Sequence, residues 1–514
     1  MKKNTLSVLV LSLMLTFSCQ NDDNATSIIP ENSSDPETEV VDTSVDFQYK
    51  STIQVGGEAS SEISAFDSVS KKLFVTNAET NVIAVFNIEN LDAPIQETEI
   101  SLNAYGAPNS VATYNGKLAI AVEAIVKQNP GKILVYDTVS LSLLNEYTVG
   151  ALPDMVTFSK DGNLILAANE GEPNADYTVD PEGSVSIISL ANNTVTTLGF
   201  EAFNSQEETL ESQGFRVFGP GANLAKDVEP EYITISEDSN TAWVSLQENN
   251  GIAKINLVSK SIEGIYPLGF KDYNLAGNEI DASDKDSETI LKNWNVKGMY
   301  QPDAIVAVNI GGVEYVISAN EGDSRDYDGF SEEERVDDLT LDTSVYPIAG
   351  DFQNEINLGR LKTTSTLGDT DNDSDVDQIY SYGARSFSIW SENINLVYDS
   401  GNSIASEILA ATPSRFNDED KRSDDKGAEP ESVDVLNIGD ERYILFVGLE
   451  RTDQVMVYDI TNPFEPNFLS ILSHDGDEGP EGLLVIPASD SPTGKDLLVV
   501  SNEDSGTVSF YENK

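Results

Sequence analysis

The residues of this chain that could do chemistry are mostly carboxylates, and their tightest grouping is Asp369, Asp371, Asp373, Asp375 and Asp377. Acids at alternate positions turn their oxygens to one side of a tight loop, which is how hard Ca²⁺ collects about six to eight oxygen ligands. A second set of acids is dispersed. A proline is followed by an acid at Pro153-Asp154, Pro230-Glu231, Pro302-Asp303, Pro430-Glu431 and Pro480-Glu481. An Asn-Glu pair or a variant of it recurs at Asn77-Ala78-Glu79, Val122-Glu123, Asn169-Glu170, Gln247-Glu248, Asn320-Glu321, Leu449-Glu450 and Asn502-Glu503.

Composition narrows what these acids can serve. The only cysteine is Cys19 and the only histidine is His474, which excludes a cysteine nucleophile, a disulfide framework and the usual Cys/His zinc site. With 88 acidic against 30 basic residues, a net charge of -58, the chain lacks the cation clusters that bind phosphate backbones, so nucleic acid is not a partner. What remains is chemistry on carboxylates, hydroxyls, Lys, Arg or an oxygen-ligated metal. The Asp369 run resembles the first half of an EF-hand loop, although Ser374 stands where glycine is usual and no glutamate follows at the twelfth position. Catalytic candidates are Glu321, Glu481 and His474. No motif marks a nucleophile, so whether the protein is an enzyme is left open.

The elements that must position these acids show most clearly at residues 430–472. Ser432–Leu436, Tyr443–Val447, Gln454–Asp459 and Phe468–Leu472 are short β-branched and aromatic runs separated by Gly, Asn, Asp and Pro, the pattern of a four-stranded antiparallel meander. One such sheet cannot bury both faces, so copies must stack. Copies begin near Ile63, Pro108, Pro153, Pro230, Pro302, Pro430 and Pro480. The spacing predicts an all-β, seven-bladed β-propeller of the YVTN/WD40 kind over residues 47–514, with six and eight blades as alternatives. The last copy has three strands, and Phe47–Val55 supplies the fourth, closing the ring and removing an exposed edge.

In a meander the start of strand one and the end of strand two share an edge. This places the ligand-face acids Glu170, Asp303, Glu321, Asp323, Glu431, Glu450, Glu481 and Glu503 on one face of the ring. The long insertions fall there too: 171–183, 201–229, 271–301, 411–429 and, within one blade, 322–383. Rigid scaffolds carry sites on such loops. Asn, Asp and Glu near Gly and Pro also close turns, but several carboxylates around one axis repel each other unless a cation or arginine compensates. Arg325 and Arg385 are the anion-clamp candidates, with pairing to local carboxylates as the alternative.

The N-terminus is expected to be processed. Lys2-Lys3, an apolar run from Leu6 to Leu15, and Cys19 form a signal peptide over residues 1–19 that resembles a lipobox, with Cys19 lipidated. Gln20-Asn21-Asp22-Asp23 resembles the acidic tag of surface-exposed Bacteroidetes lipoproteins. Residues 20–46 read as a disordered acidic tether. The expected location is the outer membrane, anchored by lipid and facing outward.

Longer strings carry a resemblance. Ala319–Tyr327, Leu358–Leu361, Tyr382–Trp390, Arg422–Glu431 and Glu478–Leu483 together resemble the choice-of-anchor I family, bacterial surface propellers related to mesenchyme-specific cell-surface glycoproteins and often bearing alkaline-phosphatase-like names. The departure is Glu431-Ser432, where the family pattern has Glu-Gly. The expectation is a monomeric, calcium-binding surface lipoprotein that holds a small-molecule, polysaccharide or protein ligand on its loop-bearing face. Its rivals are a calcium-dependent, phytase-like or alkaline phosphatase-like phosphoesterase and a structural protein associated with mineral or polysaccharide.

Overall fold

The computed structural model describes residues 44–439 and 441–514; the signal peptide, Cys19 and the tether up to residue 43 lie outside them. Among the described residues, strands assemble into seven four-stranded antiparallel sheets. The clearest comprises Pro430–Asn437, Tyr443–Leu449, Gln454–Asp459 and Asn467–Leu472, paired in chain order. In another, Pro480–Ile486, Leu497–Asn502 and Thr507–Asn513 are joined by Phe47–Gln54, which pairs antiparallel with Thr507–Asn513.

The second and third strands of each sheet are buried on both faces, as in Lys72–Asn77 and Val82–Asn87, because each sheet is covered by neighbours on both sides. That is why these strands read as continuous apolar runs rather than alternating ones. Outer strands such as Ile95–Ser101 lie mostly in solvent. Between neighbouring sheets sit separate clusters of buried side chains. Phe74, Ile83, Val111 and Ile120 form one, Trp243, Tyr300 and Trp390 another, and Leu73, Phe86, Val499 and Phe510 join the sheet containing the C-terminus to the first. Each fully buried aliphatic or aromatic side chain contributes on the order of 1.5–3 kcal/mol. The first strands, from Ser64–Asp67 to Pro480–Ile486, touch one another in cyclic order and line a single channel of about 510 Å³. Sheets stacked face to face about one axis make this all-β fold a β-propeller.

The insertions depart from expectation. Residues 271–301 and 322–383, expected as loops, build a five-stranded sheet from Phe270–Asp272, Val296–Met299, Ile379–Ser381, Lys362–Thr364 and Glu333–Arg335. Val296–Met299 and Ile379–Ser381 run parallel. This sheet has its own core of Tyr273, Val296, Val336, Tyr346, Leu358, Leu361 and Ile379. Strands of three or four residues paired across long separations leave no local periodicity to read. The two ends of the 322–383 insertion are pinched together by glycines in the left-handed region, Gly322 (φ 91°) and Gly383 (φ 69°). A Cβ on Gly383 would fall on the Glu321 carbonyl, and one on Gly322 on the Gly383 backbone. Among the described residues no helix is long and apolar enough to cross a membrane.

Candidate functional site

The Pro-acid signature has a structural cause. Pro153 pairs with Asn169, Pro430 with Leu449 and Pro480 with Asn502, and the ladder register shifts immediately afterwards in each case. Proline has no N–H to give the ladder, and a β-bulge re-aims the side chain beside it. The acid after each of these three prolines is thereby turned to the channel. One residue at or just before the start of each first strand lines it: Glu62, Asn109, Asp154, Glu231, Asp303, Glu431 and Glu481. The same pairings set Glu170, Glu450 and Glu503, which follow the second strands, at the same edge.

These carboxylates lie in each other's field, Glu248, Glu321, Glu431 and Glu450 buried and the others half-buried. Burial, reinforced by Asp303 and Glu172, pushes Asp154 up to about 7. Burial moves Glu248 to about 7, and burial with the neighbouring Glu429 does the same for Glu450. Asp303 rises to about 6 through burial, opposed by its hydrogen bond with Glu431 and by Lys426. Glu62, Glu170, Glu231, Glu321, Glu431 and Glu481 are all shifted well upward, with burial the largest cause. Glu503 is shifted upward less, again mainly by burial.

The closest gathering is on one arc. Carboxylate oxygens of Asp303, Glu321 and Glu431 all lie within 4.8 Å of one another, and so do those of Glu321, Glu429 and Glu450. Lys426 enters here, its ammonium on Glu321, 3.5 Å from Glu429 and 3.8 Å from Asp323. Gln247 Nε2 donates to the other Glu321 oxygen at 2.8 Å. Arg422 and Arg451 pair with Glu429 at 2.7 and 3.3 Å, and Arg451 also reaches Glu450 at 2.8 Å. Glu431 Oε2, Glu231 Oε2 and Glu248 Oε2 are buried without a hydrogen-bond partner.

The Asp369 run forms a separate group in the insertion. Asp369 accepts from the Asp373 and Ser374 amides at 3.1 and 3.0 Å, and Asp377 from the Thr370 amide at 2.8 Å. Asn372 and Ser374 take positive φ of 62° and 79°, so Ser374 adopts the conformation for which EF-hand loops use glycine. A parallel bridge between Leu341 and Val376 brings in Asp342. The oxygens of Asp342, Asp375 and Asp377, and those of Asp369, Asp371 and Asp377, lie within 4.8 Å of one another. Asp375 Oδ1 has no partner, and desolvation with the Asp373 charge raises Asp375 to about 6. Asp373 faces the same turn, accepting from the Asp375 amide at 3.2 Å.

The remaining candidates are placed elsewhere. Arg325 is buried, pairing with Asp227 at 2.7 Å and Glu229 at 2.8 Å. Arg385 donates to the carbonyls of Asp281, Ser423 and Asp425 at 2.7, 3.0 and 2.6 Å. His474 stacks on Tyr49 of the outermost strand with ring centroids 3.7 Å apart, away from the channel lining. Sequence reading did not single out Glu62, Glu429, Lys426 or Asp342. Glu62 lacks the preceding proline, Lys426 and Glu429 sit within the Arg422–Glu431 string, and nothing near Asp342 in sequence points to the Asp369 loop.

The fold and the site together define a β-propeller whose channel is lined by acids. The chain belongs to the choice-of-anchor I family, whose domain model matches residues 62–463. It is 32% identical over 189 residues to Gigasin-3a of Magallana gigas, covering 31% of this chain and 66% of that protein. It is 24% identical over 371 residues to the mesenchyme-specific cell surface glycoprotein of Strongylocentrotus purpuratus, covering 62% of this chain and 46% of that protein. The chain thus spans less than two thirds of the length of both curated relatives. Among solved structures, hydrazine synthase of Kuenenia stuttgartiensis aligns over 89% of this chain and 96% of its own at 10% identity and TM-score 0.49. The Cps50 (Swd1) β-propeller domain of Myceliophteria thermophila aligns over 91% and 100% at 7% identity and TM-score 0.47.

Proposed function

We propose that this protein is a surface-anchored lipoprotein, held by acylated Cys19 in the outer membrane, whose seven-bladed propeller binds Ca²⁺ in the insertion and presents a ligand or partner site on the same face. The seven four-stranded sheets, with Phe47–Gln54 completing the last, support the blade count and the closure. The observation that carries the calcium reading is the Asp369 loop. Its backbone already holds Asp369 and Asp377 in a turn, Asp342 arrives from a distant segment, and Asp375 Oδ1 is left unpaired. Such a loop gathers hard-oxygen ligands before any ion arrives. Surface placement agrees with the name of the Strongylocentrotus purpuratus relative. In thermal melts, calcium should raise the melting temperature of the wild type by more than that of Asp371→Ala; equal stabilisation of both would refute the loop as a site.

A second reading, a calcium-dependent phosphoesterase, is supported by the Asp303, Glu321 and Glu431 oxygens lying beside Lys426, an arrangement that could bridge an anionic substrate through metal. Within it Glu321 and Glu481 are the acids to test, since Glu481 lines the channel and Glu321 gathers with two of its lining acids, Asp303 and Glu431. Hydrolysis of phosphomonoesters that needs Ca²⁺ and disappears in Glu321→Gln and Glu481→Gln would establish this activity; its absence at all calcium concentrations would reject it.

A further inference from the structure

The acids that line the channel are short of counter-charge, whereas Glu429 and Glu450, which do not line it, have it, and that contrast points to a site. Around Glu429 and Glu450, the cations Lys426, Arg422 and Arg451 already supply compensation. Glu62, Asp154, Glu231, Asp303, Glu431 and Glu481 have no Lys or Arg within ion-pair distance among the described residues. The ammonium beside Asp303, Glu321 and Glu431 is that of Lys426, and it rests on Glu321. Glu431 is 8% exposed, yet its Oε2 has no hydrogen-bond partner and stands with Asp303 and Glu321 in a group whose oxygens are within 4.8 Å of each other. A buried, unpaired carboxylate oxygen beside two further carboxylates is a costly arrangement unless a cation completes it. Oxygens no more than 4.8 Å apart are close enough to share one Ca²⁺, whose ligands stand about 2.4 Å from the ion.

We infer that Asp303, Glu321 and Glu431 hold a Ca²⁺ ion at the mouth of the channel, and that Lys426 is a tethered ammonium which the arriving ion displaces from Glu321. Lys426 then sets the affinity. Like charges at contact distance oppose one another, so the ammonium keeps the site weak until calcium is plentiful and steadies Glu321 while calcium is scarce. The displaced ammonium stays within the 411–429 insertion, next to the ion, so the loaded mouth offers two positive groups to a carboxylate, sulfate or phosphate ligand. This rests on the calcium reading of the loop-bearing face but uses none of the Asp369-loop residues, so the two can fail separately.

The test is calcium titration by isothermal calorimetry of the full-length protein in detergent, in an Asp371→Ala/Asp375→Ala background that removes the loop site. One calcium per chain should remain. Glu431→Gln, and separately Asp303→Asn from a different strand, should weaken it at least tenfold, while Lys426→Met should tighten it about tenfold or more. Melts in EDTA check that each variant is folded; should Lys426→Met not fold, Lys426→Gln carries the same prediction. Calcium binding unchanged by Glu431→Gln and Asp303→Asn, or weakened by loss of the Lys426 charge, would overturn the inference. So would loss of all calcium binding in the background protein, which would leave the loop as the whole site. If the wild type and the background bind the same single calcium, the loop reading fails and the channel site stands.

Discussion

Removing calcium and raising the pH should destabilise this protein, the opposite of what most acidic proteins do on leaving acid. Asp154 and Glu248 both titrate near 7 in the folded state because burial disfavours their charge. Unfolded, they titrate near 4. Between those values the folded protein binds more protons than the unfolded chain, so stability declines as pH rises. The contribution is fully present below about pH 4, is lost progressively, and is gone above about pH 7. Moving a carboxyl from about 4 to about 7 is worth about 3–4 kcal/mol for each group. Taken as order-of-magnitude and non-additive, the pair supplies on the order of 5 kcal/mol. At about 1–2 °C per kcal/mol for a chain of this size, the melting temperature in EDTA should fall by roughly 5–10 °C between pH 5 and pH 8. Differential scanning calorimetry measures it directly. Calcium should recover a large part of the loss at pH 8 and little at pH 5, and Glu248→Gln should flatten the slope. A melting temperature in EDTA that is level or rises from pH 5 to pH 8 would refute the claim that the buried acids carry an uncompensated charge.

Other perturbations separate structural from functional groups. Arg325→Met should cost about 3–5 kcal/mol, because Asp227 and Glu229 would be left buried without their partner; chemical denaturation reads this, and a near-neutral result would free Arg325 for an anion. Gly383→Ala should lower the melting temperature and the calcium response together, since its Cβ would strike the Glu321 carbonyl at the neck of the insertion. A chain lacking residues 47–54 should melt at least several degrees lower and aggregate through the exposed Thr507–Asn513 edge; light scattering during the melt shows it.

The blades were legible because each repeats four short β-rich runs, and Tyr443–Leu449 or Gln454–Asp459 are buried on both faces and so are apolar throughout. The Pro-acid and Asn-Glu pairs were legible as a set because proline marks the strand start and the meander fixes which edge it occupies. What the local pattern could not show was the bulge after Pro153, Pro430 and Pro480, which turns Asp154, Glu431 and Glu481 to the channel. Nor could it show the five-stranded sheet of the insertions, whose strands Val296–Met299 and Ile379–Ser381 meet across some eighty residues. Lys426 and Asp342 belong to the same class: their importance arises only when distant segments close on each other. His474 lay on the expected side by topology, but its ring packs on Tyr49 at the periphery, a lateral position that strand order alone does not fix.

The most direct measurement is anomalous diffraction from crystals of the protein grown with calcium. An ion coordinated by the Asp369–Asp377 loop with Asp342, on the side of the ring that carries the insertions, is the predicted result. Clean maps at saturating calcium with no ion on that face would contradict the account.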